Sequence, residues 1–167
     1  RLLEHEARVC GTRYDLFDHL PDLHTAIAAA DLALARAHPD PPRCAHLLDL
    51  LAGARRTLFE RTASTADLTW ACQAADIALA ETPADHTSRP TRHTTLATCL
   101  LTRYETTGHS ASLDEAVRHG RLALQTANHT QVAVAATNLG NALLTRYELR
   151  HAATDIADAV HAAQRGV

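Results

Sequence analysis

The sequence has no methionine and no lysine; all sixteen of its basic residues are arginine. With so much alanine, aspartate, threonine and histidine, this reads as the codon bias of a GC-rich genome, and it carries no functional argument. The lack of Met even at position 1 leads us to expect a segment of a longer protein. Aromatic residues other than histidine number six: Trp70, Tyr14, Tyr104, Tyr147, Phe17 and Phe59. A core must therefore be built from alanine and leucine, both good helix formers, and alanine lets helices approach closely. Valine and isoleucine are few and no long stretch alternates cleanly, which argues against strands. The four cysteines, Cys10, Cys44, Cys72 and Cys99, form no CxxC pair, so zinc-ribbon and thioredoxin-type sites are not expected. They read as small buried apolar residues in a reducing compartment.

Other absences narrow the function. The net charge is −3 with no gathering of arginine on one face, so a nucleic-acid footprint is not expected. No run of 18 apolar residues suggests a membrane span, and no secretory signal opens the chain, which points to a cytoplasmic protein. Twelve histidines invite a metal hypothesis, yet no two are three or four residues apart, the spacing a two-histidine helical site needs. Surface histidines and no metal are expected. The serines, Ser64, Ser88, Ser110 and Ser112, fall in loops or at helix starts, none in a GxSxG elbow, and no glycine-rich phosphate loop is present. Neither an enzyme nor a cofactor is expected.

What the chain does contain is a repeat. An aromatic recurs at Tyr14, Phe59, Tyr104 and Tyr147, in steps of 45, 45 and 43 residues. In the same register run Asp22-Leu23, Asp67-Leu68, Ser112-Leu113 and Asp155-Ile156, followed by Ala26-Ile27, Ala71-Cys72, Ala116-Val117 and Ala159-Val160. The shorter last step places a two-residue deletion between Leu124 and Leu139. Each period reads as two helices. The first ends in a polar turn, as at Gly108, a suitable C-cap. The second begins after Asp22, Asp67, Ser112 or Asp155, or at the Thr or Ala just before them, residues that favour helix starts. Prolines such as Pro39 and Pro83 then end it. The pattern predicts helices near 2–17, 22–37, 44–62, 67–81, 90–107, 112–127, 131–150 and 154–165. A single pair cannot bury its apolar face alone, whereas stacked pairs can.

The segment Asn138-Leu-Gly-Asn-Ala142 resembles the first helix of a tetratricopeptide repeat. Ala26 and Ala33, Ala71 and Ala78, and Ala116 and Ala123 resemble the two small-residue positions on that family's second helix, and Pro83 sits where its terminal proline belongs. The period of about 45 and the segment Leu100-Leu-Thr-Arg-Tyr-Glu-Thr-Thr-Gly108 with Leu113-Asp-Glu-Ala-Val117 resemble a long variant found in large actinobacterial proteins. Those arrays often accompany a caspase-like CHAT protease or another effector domain. The resemblance implies an all-α, right-handed superhelical solenoid of antiparallel helix pairs. It would hold four repeats, at about 1–43, 44–88, 89–130 and 131–167, in a single domain of eight helices.

It also implies a function, a scaffold that holds a peptide or protein segment in a concave groove lined by the first helices. Aligned on Asn138–Asn141, the inward residues are Glu4, Arg8, Gly11 and Thr12; Asp49, Gly53, Arg56 and Thr57; Thr94, Thr98, Leu101 and Thr102; and Thr137, Asn141, Leu144 and Thr145. Only Asn141 fits the set with which chaperone-binding relatives clamp a terminal carboxylate, so an extended or helical segment is the expected ligand. The alternative is a regulatory sensor that binds a small ligand and controls an attached effector. Arg13, Arg103 and Arg146 precede three of the ladder aromatics and could line an anion site, but they read rather as solvated or locally paired, with Leu58 breaking the series. Trp70 reads as core. The apolar face of the last helix, Ile156, Ala159, Val160 and Ala163, leaves end-to-end self-association open.

Overall fold

A computed structural model describes residues 2–37 and 40–166. They form eight α-helices and, among the described residues, no strand: α1 Leu2–Phe17, α2 Leu20–Ala35, α3 Pro41–Thr62, α4 Thr65–Ala80, α5 Arg89–Thr107, α6 Ser110–Thr126, α7 Val132–Arg150 and α8 Ala153–Arg165. The chain divides into two compact units, one ending at Thr82 and the other beginning at Pro83. In the first, α1 pairs with α2, α3 pairs with α4, and α2 packs on α3. In the second, α5 pairs with α6, α7 pairs with α8, and α7 packs on both α5 and α6.

The repeat is written most plainly in the turns. Each pair is joined by two residues: Asp18-His19, Ala63-Ser64, Gly108-His109 and His151-Ala152. The first of each two is left-handed, with φ of 51°, 57°, 69° and 54°. Its N–H donates to the carbonyl of the ladder aromatic four residues back, Tyr14, Phe59, Tyr104 or Tyr147, at 2.6–2.7 Å. The second is extended and starts the next helix. Gly108 is the C-cap expected; the other three positions place a side chain where glycine is favoured.

The second helices start one or two residues earlier than expected, and their caps lie three residues before the expected ones. Asp22, Asp67, Ser112 and Asp155 are not caps. The caps are His19, Ser64, His109 and Ala152, and each Asp or Ser sits in the first turn with its N–H bonded to the cap carbonyl at 2.8–3.0 Å. Their side chains answer a different demand, taken up below. Proline also acts differently at Pro41, Pro42 and Pro90. These residues open α3 and α5, where a missing N–H costs nothing, and Asp40 caps α3 by accepting from the Arg43 N–H at 3.3 Å. Pro39 lies outside the described residues. The connection at 127–131 is shorter than that at 81–88, which is where the shorter repeat loses its residues.

Small residues line the buried faces of the second helices, a seam toward both the paired helix and the next one along the chain. Ala26, Ala30 and Ala33 on α2, Ala71, Ala75 and Ala78 on α4, and Ala116 and Ala123 on α6 are all buried. On α6 the middle position is Gly120, where an added Cβ would come within 3.1–3.3 Å of Leu139. Larger residues fill in around the seam. In the first unit Tyr14, Leu23, Ile27, Leu51 and Leu58 form one cluster, with Trp70 packed on its edge. In the second, Leu96, Leu100, Leu113, Val117, Leu139 and Leu143 are buried. Cys10, Cys72 and Cys99 are buried free thiols, and Cys44 is half-buried.

Two predictions follow from these local constraints. Ala63→Gly relieves a left-handed alanine and is expected to stabilise the chain by about 0.5–1 kcal/mol, read as a higher melting temperature. Ala116→Leu overpacks a fully buried seam position and is expected to cost about 1–3 kcal/mol. A melting temperature unchanged by Ala116→Leu would mean that the seam has room.

Candidate functional site

Of the two readings for Arg13, Arg103 and Arg146, solvated or locally paired, the structure gives the paired one, and their partners are residues misread as caps. Arg13 on α1 lies 3.3 Å from Asp22 on α2. Arg146 on α7 grips Asp155 on α8 with two bonds, of 3.0 and 2.6 Å, and Arg150 grips Asp114 with two of 2.8 Å. These guanidinium partners hold the Asp155 and Asp114 carboxyls below the usual range. Arg103 on α5 meets the neutral Ser112 hydroxyl at 2.9 Å instead. Where Leu58 breaks the series, Arg55, one turn earlier, takes over. It bonds Asp67 at 3.0 Å and Asp31 at 2.8 Å, and lies over the Trp70 ring at 4.4 Å. This is a structural joint that ties the first helix of each pair to the first turn of the second.

Histidine departs from the surface reading at one place. His93 on α5 and His119 on α6 are buried, with their Nδ1 atoms 2.8 Å apart. The equivalent positions one repeat earlier are Leu48 and Ala74, and one repeat later Ala136 and Ala162. The Arg118 guanidinium lies 2.6 Å from His119 Nε2, which must therefore accept. A neutral His119 then carries its proton on Nδ1 and donates to His93 Nδ1. A further proton on either ring sets donor against donor. Burial first, then His119, Arg89 and Arg118, lower the His93 pKa to about 4. No group of three or more His, Cys, Asp or Glu among the described residues is placed to hold a metal ion.

The expected groove residues fall on the first helices. In the first unit, Arg8, Gly11 and Thr12 of α1 and Gly53 and Thr57 of α3 come together around a cavity of about 300 Å³. Ala7, Ala26, Ala30 and Ala54 form its floor, and Tyr14, Asp15, Leu23 and Leu50 complete the lining. A Cβ added at Gly11 or Gly53 would meet nothing within 4 Å, so these glycines keep the cavity open. Glu4, Asp49 and Arg56 do not line it. Glu4 pairs with Arg43 across to α3, Arg56 pairs with Glu60 one turn along, and Asp49 is half-buried.

In the second unit the corresponding faces belong to α5 and α7. Asn141, Leu144 and Thr137 are exposed, Thr94, Thr98, Leu101 and Thr145 are half-buried, and Thr102 is buried. The hydroxyls of Thr94, Thr98, Thr102 and Thr137 each donate to the carbonyl four residues back, at 2.9–3.1 Å. They keep lone pairs for a ligand but no free proton. Asp15 was missed by the sequence reading, although it stands seven residues from Arg8 and three from Thr12 on the same helical face. The His93–His119 pair was missed because its members are 26 residues apart. No family model matches the chain, and neither a curated protein nor a solved structure matches it.

The His93–His119 pair makes a pH prediction. The unfolded histidine, with a pKa near 6.5, binds a proton that the folded one refuses. The stabilisation is therefore complete above about pH 6.5 and falls as pH drops toward 4, by about 3 kcal/mol in all. Carboxylates such as Asp155 are held low by arginine and titrate below that window, so the two effects separate. Denaturant unfolding between pH 7 and 4.5 is expected to show the slope in the wild type. The double variant His93→Leu/His119→Ala, which restores an apolar pair, is expected to lose it.

Proposed function

We propose that the chain is a tetratricopeptide-like interaction scaffold that holds a polypeptide segment on the faces of its first helices, α1, α3, α5 and α7. The reading includes the right-handed superhelical winding and the regulatory setting that the sequence resemblance implies. The observation that carries it is the cavity on the first-helix face of the first unit, where five of the residues aligned as groove lining meet around about 300 Å³. A second support comes from α7. Leu144 is 45% exposed, and the neighbouring Asn141 amide makes no hydrogen bond to another described residue. An apolar side chain beside an unengaged amide on one helix face is a usual composition for a contact surface. Small-ligand sites run from about 300 to 1,000 Å³ and enclose most of their ligand. This cavity is at the small end and is rimmed by exposed residues, which suits an anchor side chain better than a whole metabolite.

The test is selection of a displayed random-peptide library on the intact chain, followed by affinity measurement with variants. Leu101→Ala and Asn141→Ala are expected to weaken selected peptides about tenfold, an energy of about 1.4 kcal/mol, with the melting temperature nearly unchanged for the exposed Asn141 and somewhat lowered for the half-buried Leu101. A selection that enriches no peptide contradicts the reading. So does enrichment of peptides indifferent to these two variants and to changes around the first-unit cavity.

A further inference from the structure

Resting on the interaction reading, we propose that the cavity of the first unit takes the apolar anchor of a partner helix. That helix carries an acidic residue toward Arg8 and a basic residue toward Asp15. The cavity floor is alanine from α1, α2 and α3, and its openness comes from Gly11 and Gly53, whose missing side chains leave empty space. The second unit has Leu101 and Asn141 at the equivalent positions, so the recess is a feature of the first unit's own sequence.

The rim supplies the rest of the specificity. The one hydrogen bond of Arg8 among the described residues is to His5 Nδ1, at 3.2 Å, and it forms no ion pair there. Asp15 also forms none there, although Glu4 and Arg13 on α1 and Asp18 in the turn after it are all paired. Two opposite, uncompensated charges thus stand on one face of α1 with the cavity between them. They are seven residues apart, about 10 Å along the helix axis. A partner helix lying along α1 presents charges at the same interval when they are at positions i and i+7, with the anchor between them at i+4. Side-chain ridges of one helix seat in grooves between others, which favours a helical occupant here.

The experiment uses the full chain and blocked, fluorescein-labelled alanine-based helical peptides read by anisotropy. The reference probe has Glu, Leu and Lys at i, i+4 and i+7. Replacing its Leu by Ala is expected to cost about tenfold in affinity, and Gly11→Leu, whose Cβ meets nothing within 4 Å and whose side chain occupies the recess, is expected to do the same. Each like-charge probe, Glu–Leu–Glu or Lys–Leu–Lys, is expected to bind about threefold more weakly, since rim ion pairs are individually small. The decisive arm is a switch of preference. Arg8→Glu is expected to prefer Lys–Leu–Lys, and Asp15→Lys to prefer Glu–Leu–Glu. Preferences that do not switch overturn the proposal, as does binding unaffected by Gly11→Leu. N-acetyl-leucinamide binding as tightly as the reference peptide would identify a small-ligand pocket and overturn it too. Selected peptides that weaken on Leu101→Ala or Asn141→Ala but ignore Gly11→Leu sink this inference and leave the broader interaction reading standing. Peptides indifferent to all of these variants sink both.

Discussion

The close approach of paired helices through an alanine seam is the constraint on which the rest depends. Two-residue turns bring the ends of successive helices together, and they work only if the helices can lie side by side without large side chains between them. Alanine at the positions of Ala26, Ala71 and Ala116 meets that demand, as all three are buried. Closeness then makes the arginine joint possible. A guanidinium on the first helix reaches the first turn of the second only because the backbones are near, as in the 2.6 Å bond from Arg146 to Asp155. The carboxylate there also faces the positive end of the second helix's dipole, so one group serves two partners.

Much of this was legible in the sequence, for identifiable reasons. The helices were, because their apolar spacing and the 45-residue register act locally along the chain. The ladder aromatics marked the turns, since the carbonyl of each accepts the left-handed capping N–H. The caps of the second helices were read three residues late. Asp22 and Asp155 have the chemistry of caps, and only the three-dimensional position of Arg13 and Arg146 reveals that their carboxylates face a neighbouring helix. Histidine illustrates the same limit. His93 and His119 look like surface residues in isolation, because nothing in a linear chain says that two polar rings will satisfy each other in a seam.

The candidate surface was partly legible too. Alignment on Asn138–Asn141 placed Arg8, Gly11, Thr12, Gly53 and Thr57 on one face, and these five line a single cavity. It could not show that Glu4 and Arg56 would be drawn into ion pairs with Arg43 and Glu60. Nor could it show that the threonine hydroxyls would donate to their own helices. A face of threonines is thus less polar toward a partner than its composition suggests. Among the described residues of these faces the discriminating groups left for a partner are few: Asp15, Asn141 and Arg8, which hydrogen-bonds only His5, beside the apolar Leu144.

The proposed function puts a polypeptide partner on the first helix of each pair. Hydrogen–deuterium exchange of the intact chain, with and without a saturating selected peptide, tests it most directly. Added protection is expected in α1, α3, α5 or α7, with the even-numbered helices little changed. Protection confined to α2, α4, α6 or α8 would contradict the account.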